Sequence, residues 1–87
     1  MRPEIEVVRD YEGYFEALVK KWVDKKEELG IPFKSKKIVI TSGPYRPDAV
    51  TCKRAGDMLH IDFYAALRAG FGSLHDIHVN AIIYNWL

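Results

Sequence analysis

The chain of 87 residues has one cysteine, Cys52. This excludes an intrachain disulfide and any zinc site built from several cysteines. A small domain without such staples suits a reducing compartment. Long hydrophobic runs are missing as well. No apolar stretch approaches the ~20 residues needed to span a bilayer, and Met1-Arg2-Pro3-Glu4-Ile5-Glu6 lacks the apolar run of a signal peptide. The expectation is a cytoplasmic protein with no membrane contact. An excess of one charge is also lacking: 13 Lys and Arg stand against 12 Asp and Glu, and the balance holds in each half of the chain. Duplex-binding proteins neutralise phosphates and release counterions, so nucleic acid is a disfavoured partner. Repeats, low-complexity tracts and linker-like segments are absent, which leaves one globular domain over 1–87. Aromatic residues, at 13 %, are plentiful for so short a chain. They point to a well-filled core, an apolar interface, or both.

Periodicity organises the chain. Glu4-Ile5-Glu6-Val7-Val8-Arg9 has the β-branched content of a strand. Asp10 then stands as an N-cap, Tyr11, Phe15, Leu18, Trp22 and Leu29 form a helical stripe, and Gly30 supplies a stop. This predicts a helix over 11–29, with Val19 and Val23 adding a second apolar edge and Lys25 interrupting the stripe. Three consecutive β-branched residues, Ile38-Val39-Ile40, predict a strand over 36–41 buried on both faces. Residues 42–48 form a loop by composition.

Cys52, Ala55, Leu59, Phe63, Ala66 and Gly70 fall on one helical face, which predicts a helix over 49–69 capped by Asp48 and stopped by Gly70. The rival is a hairpin turning at Ala55-Gly56-Asp57, with Leu59, Ile61 and Phe63 alternating. Ile77, Val79, Ala81 and Ile83 alternate with polar residues and predict a strand over 76–86. Its rival is a helix capped by Ser73 and Asp76, because residues 81–87 are apolar on nearly every side. The resulting class is α/β or α+β, in the order β-α-β-α-β, with two helices packed on a three-stranded sheet. With the hairpin, the order approaches a ferredoxin-like β-α-β-β-α-β. Leu18, Trp22, Ile38, Ile40, Leu59, Phe63 and Ile83 are the expected core.

Five groups of residues could carry function. The loop after the central strand is placed where open α/β sheets bind ligands. There Ser42 and Gly43 offer backbone N–H groups and a hydroxyl, Arg46 an anion clamp and Tyr45 a stacking face. Pro44 and Pro47 remove donors from the same loop, and Asp48 puts a carboxylate where an anion would sit. The strand followed by Ser42-Gly43-Pro44-Tyr45-Arg46 is locally similar to the nucleotide-handling loop of nucleoside deoxyribosyltransferase-like proteins, over five residues of 87. In that family the loop opens the chain, whereas here a strand and a helix precede it. The second group is His60, Asp62, His75, Asp76 and His78, residue types that serve as metal ligands or in acid–base chemistry when three or four converge. With Ser42-Gly43 and Tyr45-Arg46-Pro47 they are faintly similar in order to zinc D,D-peptidases, whose His-then-Asp spacing His60-Ile61-Asp62 does not meet.

Cys52 is a third candidate, as a nucleophile near a helix N-terminus, but it shares the apolar face of Ala55 and Leu59. Lys20, Lys21, Lys25, Lys26, Lys34, Lys36 and Lys37 are the basic cluster, with Trp22 and Phe33 interleaved as in single-strand binders and Asp24, Glu27 and Glu28 diluting it. The fifth is the end of the chain, where Ile82, Tyr84, Trp86 and Leu87 must be buried, internally or against a partner. The composition and patterning favour a small non-catalytic binding or regulatory domain. It would act through protein–protein contact, self-associating as a homodimer through Ile82, Tyr84, Trp86 and Leu87. A nucleotide- or anion-binding protein, with or without catalysis, using Ser42, Gly43, Tyr45 and Arg46 is the alternative, and nucleic-acid binding by the lysine cluster the third. No catalytic residue, metal or cofactor is assigned.

Overall fold

A computed structural model describes residues 2–10, 13–43, 50–64 and 77–87. Their elements, in chain order, are β1 (Glu4–Val7), α1 (Tyr14–Glu28), β2 (Lys37–Gly43), β3 (Val50–Ala55), β4 (Met58–Tyr64) and α2 (Ile77–Trp86). The sheet runs β1-β2-β4-β3. β1 pairs with β2 in parallel, as does β2 with β4, while β3 and β4 are antiparallel. The class is therefore α+β, two helices on a mixed sheet, with four strands among the described residues where three were expected.

Local chemistry accounts for α1. Asp10 caps it from a distance, across the left-handed turn at Gly13: its two carboxylate oxygens accept from the Phe15 and Glu16 N–H groups at 3.0 Å each. Both bonds satisfy orphan donors of the first turn. At the other end Gly30, at φ 71°, allows the chain to turn back. Its N–H reaches the Glu27 carbonyl and the Ile31 N–H that of Lys26, a Schellman closure. Phe15, Leu18, Val19 and Val23 face inward.

Two expectations are corrected here. Of the residues predicted as a helix over 49–69, Val50 to Tyr64 form the hairpin β3–β4, and 49 and 65–69 lie outside the described residues. The hairpin's turn uses Gly56 at φ 61°, a conformation unfavourable to residues with a Cβ. Alternation then governs burial: Val50, Leu59, Ile61 and Phe63 point into the core. From Ile77 on, the segment predicted as a strand over 76–86 is instead the helix α2, with Val79, Ile83 and the following Leu87 buried four residues apart. Accordingly the described order is β-α-β-β-β-α, differing from both β-α-β-α-β and the ferredoxin-like order. The proposed caps and stops at Asp48, Gly70, Ser73 and Asp76 lie outside the described residues.

α1 and α2 contribute with the Ile38, Ile40, Leu59, Ile61 and Phe63 face of the sheet to one core, in which Phe15 and Phe63 stack at 4.4 Å. Six of the seven expected core residues belong to it, and Trp22 packs against it partly buried. Ile38, Val39 and Ile40 are all buried, as their β-branched run implied.

Candidate functional site

The helical layer carries a groove of about 560 Å³ between α1 and α2, whose walls include Lys21, Trp22, Ile77, Ala81, Tyr84 and Asn85. Trp22 continues the stripe of Leu18 but sits at the edge of the core, so its indole borders both helices. Its Nε1–H donates to the Asn80 Oδ1 at 2.7 Å, and its ring meets Tyr84 edge-on at 5.3 Å. This aromatic pair joins the helices. Lys21 Nζ lies 4.9 Å from the Trp22 ring centroid and Lys26 Nζ 5.0 Å from that of Tyr84. Lys26 is only 4 % exposed. Burial first, then the charges of Lys34 and Arg54, push its ammonium pKa below the ordinary lysine value.

Cations gather at the C-terminal end of α2, where carbonyls lack helical partners. Lys34 Nζ donates to the Asn85 carbonyl at 2.8 Å and the Lys34 N–H to that of Leu87 at 2.9 Å. Arg54 donates through Nη2 to the Trp86 carbonyl and through Nε to the Ser35 hydroxyl. Its guanidinium also covers the Trp86 ring, 5.2 Å from the centroid. The arrangement suits a helix dipole, whose C-terminal end carries partial negative charge.

The sheet face away from the helices is polar. Register aligns Thr41, Asp62 and Thr51 in one row across β2, β4 and β3, and Val39, His60 and Lys53 in the next. A depression of about 530 Å³ borders Thr41, Thr51, Lys53, His60 and Asp62. Nearby, Glu6 and Lys37 form an ion pair at 2.7 Å. That contact lowers the Glu6 pKa and raises the Lys37 pKa.

The structure scatters several residues that sequence brings together. Ser42 and Gly43 are the last two residues of β2 rather than the opening of a loop, because strand pairing with β4 runs on to Gly43. Ser42 is 7 % exposed, and Gly43 is half-buried. Tyr45 and Arg46 lie outside the described residues, as do His75 and Asp76. His60 and Asp62 share the polar sheet face, whereas His78 is on α2. Among the described residues no group of three or more His, Cys, Asp or Glu could hold a metal. Cys52 lies on β3, not at a helix N-terminus, and burial raises its thiol pKa to about 11. That is the opposite of nucleophile activation.

The lysines serve separate partners: Lys20 pairs with Glu16, Lys36 with Asp57 and Lys37 with Glu6. At the chain's end, Leu87 is 1 % exposed in the core and Trp86 is partly buried beside it. Tyr84 lines the groove and Ile82 is exposed. Ile77, Ala81 and Asn85 escape a reading of the sequence that looks for large apolar side chains at the chain end. A signal for them exists all the same, since α2 contains no Asp, Glu, Lys or Arg. Among the described residues no helix is long and apolar enough to cross a membrane. No protein-family model matches the chain, and neither a curated protein nor a solved structure matches it.

Proposed function

We propose that the protein is a non-catalytic binding domain acting through protein–protein contact at its helical layer, with a second copy of the chain as partner. One observation carries this reading: the outer face of α2 consists of Ile77, His78, Ala81, Ile82 and Asn85, with no Asp, Glu, Lys or Arg and with Ile77 80 % exposed. Surface helices ordinarily turn a charged or strongly polar face to water. An apolar patch beside a groove with Trp and Tyr in its walls has the composition of a contact surface. The single cysteine suits a reducing setting such as the cytoplasm.

Sedimentation velocity over a wide concentration range tests the idea. Wild type is expected to gain mass as concentration rises, and Ile77→Glu to remain monomeric, with the wild-type unfolding midpoint at concentrations where both are monomers. A wild type that stays monomeric at the highest soluble concentration overturns the reading.

A further inference from the structure

We propose that the groove between α1 and α2 binds a small aromatic carboxylate, with its ring against Trp22 and Tyr84 and its carboxylate paired with Lys21. Binding of this kind needs no second copy and goes beyond the self-contact of the outer α2 face. Small-molecule sites are clefts of roughly 300–1,000 Å³, mostly apolar, with a few polar groups that orient the ligand. At about 560 Å³ the groove falls in that range. Its two aromatic walls are fixed in advance. The Trp22 and Tyr84 rings stand at 73° with centroids 5.3 Å apart, and the Trp22 indole N–H is held by the Asn80 Oδ1 at 2.7 Å. A flat ring stacked on one of them meets the other edge-on, the two geometries that aromatic quadrupoles favour. Because the walls are already ordered, a ligand avoids the cost of immobilising them.

Charge selects an acid. Among the described residues that line the groove, Lys21 is charged and none is Asp or Glu. Its Nζ lies 4.9 Å from the Trp22 centroid, beside the surface on which a ring would stack. Lys20, its neighbour in the chain, is paired with Glu16 at 3.2 Å, while Lys21 has no ion pair among the described residues. Two further cations touch the walls: Lys26 Nζ at the Tyr84 ring and Lys34 Nζ at the Asn85 carbonyl. Asp24 and Glu27 of α1 are drawn away to Arg2. The field across the groove is therefore positive. A carboxylate reaching Lys21 makes a charge-assisted hydrogen bond, roughly twice as strong as a neutral one. An ammonium group in its place meets three cations. The ligand that fits is a planar apolar body with one negative end.

Naphthoate is the probe, with naphthamide as its neutral and naphthylmethylammonium as its cationic counterpart. Each is titrated into protein dilute enough to be monomeric by sedimentation, and the Trp22 indole N–H resonance is followed by NMR. Naphthoate should move that resonance saturably and bind about tenfold more tightly than the amide, with the ammonium weaker still. Lys21→Met should bring naphthoate down to the level of the amide. Lys21→Arg should keep the preference, and Lys25→Met, outside the groove, should leave it unchanged. A resonance that none of the three compounds moves overturns the proposal, as does equal binding of acid and amide to wild type. A preference for the acid that survives in Lys21→Met places the anion elsewhere and overturns it too. Self-association is read independently by sedimentation. A monomer that binds naphthoate in this way upholds the groove without the dimer, and a dimer whose dilute monomers ignore naphthoate upholds the dimer without the groove.

Discussion

The ammonium of Lys26 is held between opposing effects. Contact with the Tyr84 ring at 5.0 Å favours the charged form, while withdrawal from water and the proximity of Lys34 and Arg54 disfavour it. Burial and the two neighbouring cations lower the Lys26 pKa, and the ring contact works against that shift. The sign for stability follows directly. At neutral pH both folded and unfolded chains hold the proton, and the charge is a full burden on the native state. As pH rises through the folded value toward the ordinary lysine value, the native state releases its proton first and stability from this site increases. Lys26→Met keeps the length of the side chain without its charge. It is expected to melt at or above the wild-type temperature at pH 7, with the difference shrinking by pH 10. A variant melting several degrees lower at pH 7 would mean that the ring contact outweighs the loss of water.

Among the elements, α1, β2 and the hairpin illustrate what a pattern can and cannot decide. Residues four apart share a face in a helix and also in a strand, where the period is two. Leu59 and Phe63 are such a pair, as are Val79 and Ile83, so both corrected segments carried spacings common to the two structures. The deciding residues were elsewhere: Gly56 at the hairpin turn and Ile61 between Leu59 and Phe63. In α2 it was the burial of Val79, Ile83 and Leu87 while Ile77 and Ala81 stayed outside. Asp10, Gly30 and the Ile38-Val39-Ile40 run were legible because each acts locally. The site was legible only as a demand: an apolar chain end that had to be covered. Sequence alone did not show that Trp86 and Leu87 would be covered internally by Arg54 and the sheet, leaving Ile77 and Ala81 outside.

Arg54 is the element-scale test. It joins β3 to the end of α2 through the Trp86 carbonyl and ring. Hydrogen bonds from charged groups are worth about 1.5–3 kcal/mol, so Arg54→Ala should destabilise by about that amount in urea unfolding. A loss under about 0.5 kcal/mol would leave the capping of α2 to Lys34 alone.

At the scale of the molecule, one layer of two helices covers one face of the sheet, and the closing contacts join distant parts of the chain. Trp22 reaches Asn80 across 58 residues and Lys34 reaches the Asn85 carbonyl across 51. Among the described residues the β3–β4 hairpin is the strand pairing that closes locally. Hairpins form in about 1–10 μs, whereas distant pairings must first meet the entropy of loop closure. Mixed topologies of this kind fold more slowly than helical bundles of equal stability. The hairpin is therefore the expected nucleus, with α2 expected to dock after the rate-limiting barrier. Ile61→Val, within the nucleus, should slow refolding in stopped-flow measurements. Ile83→Val, a change of similar size in α2, should leave the refolding rate nearly constant and speed unfolding. α2 also forms the surface proposed to receive a second copy, so on this expectation the element gained last on folding is the first released on unfolding. Dimerisation would then act mainly as a brake on unfolding, lengthening the lifetime of the native state without changing how fast it is reached.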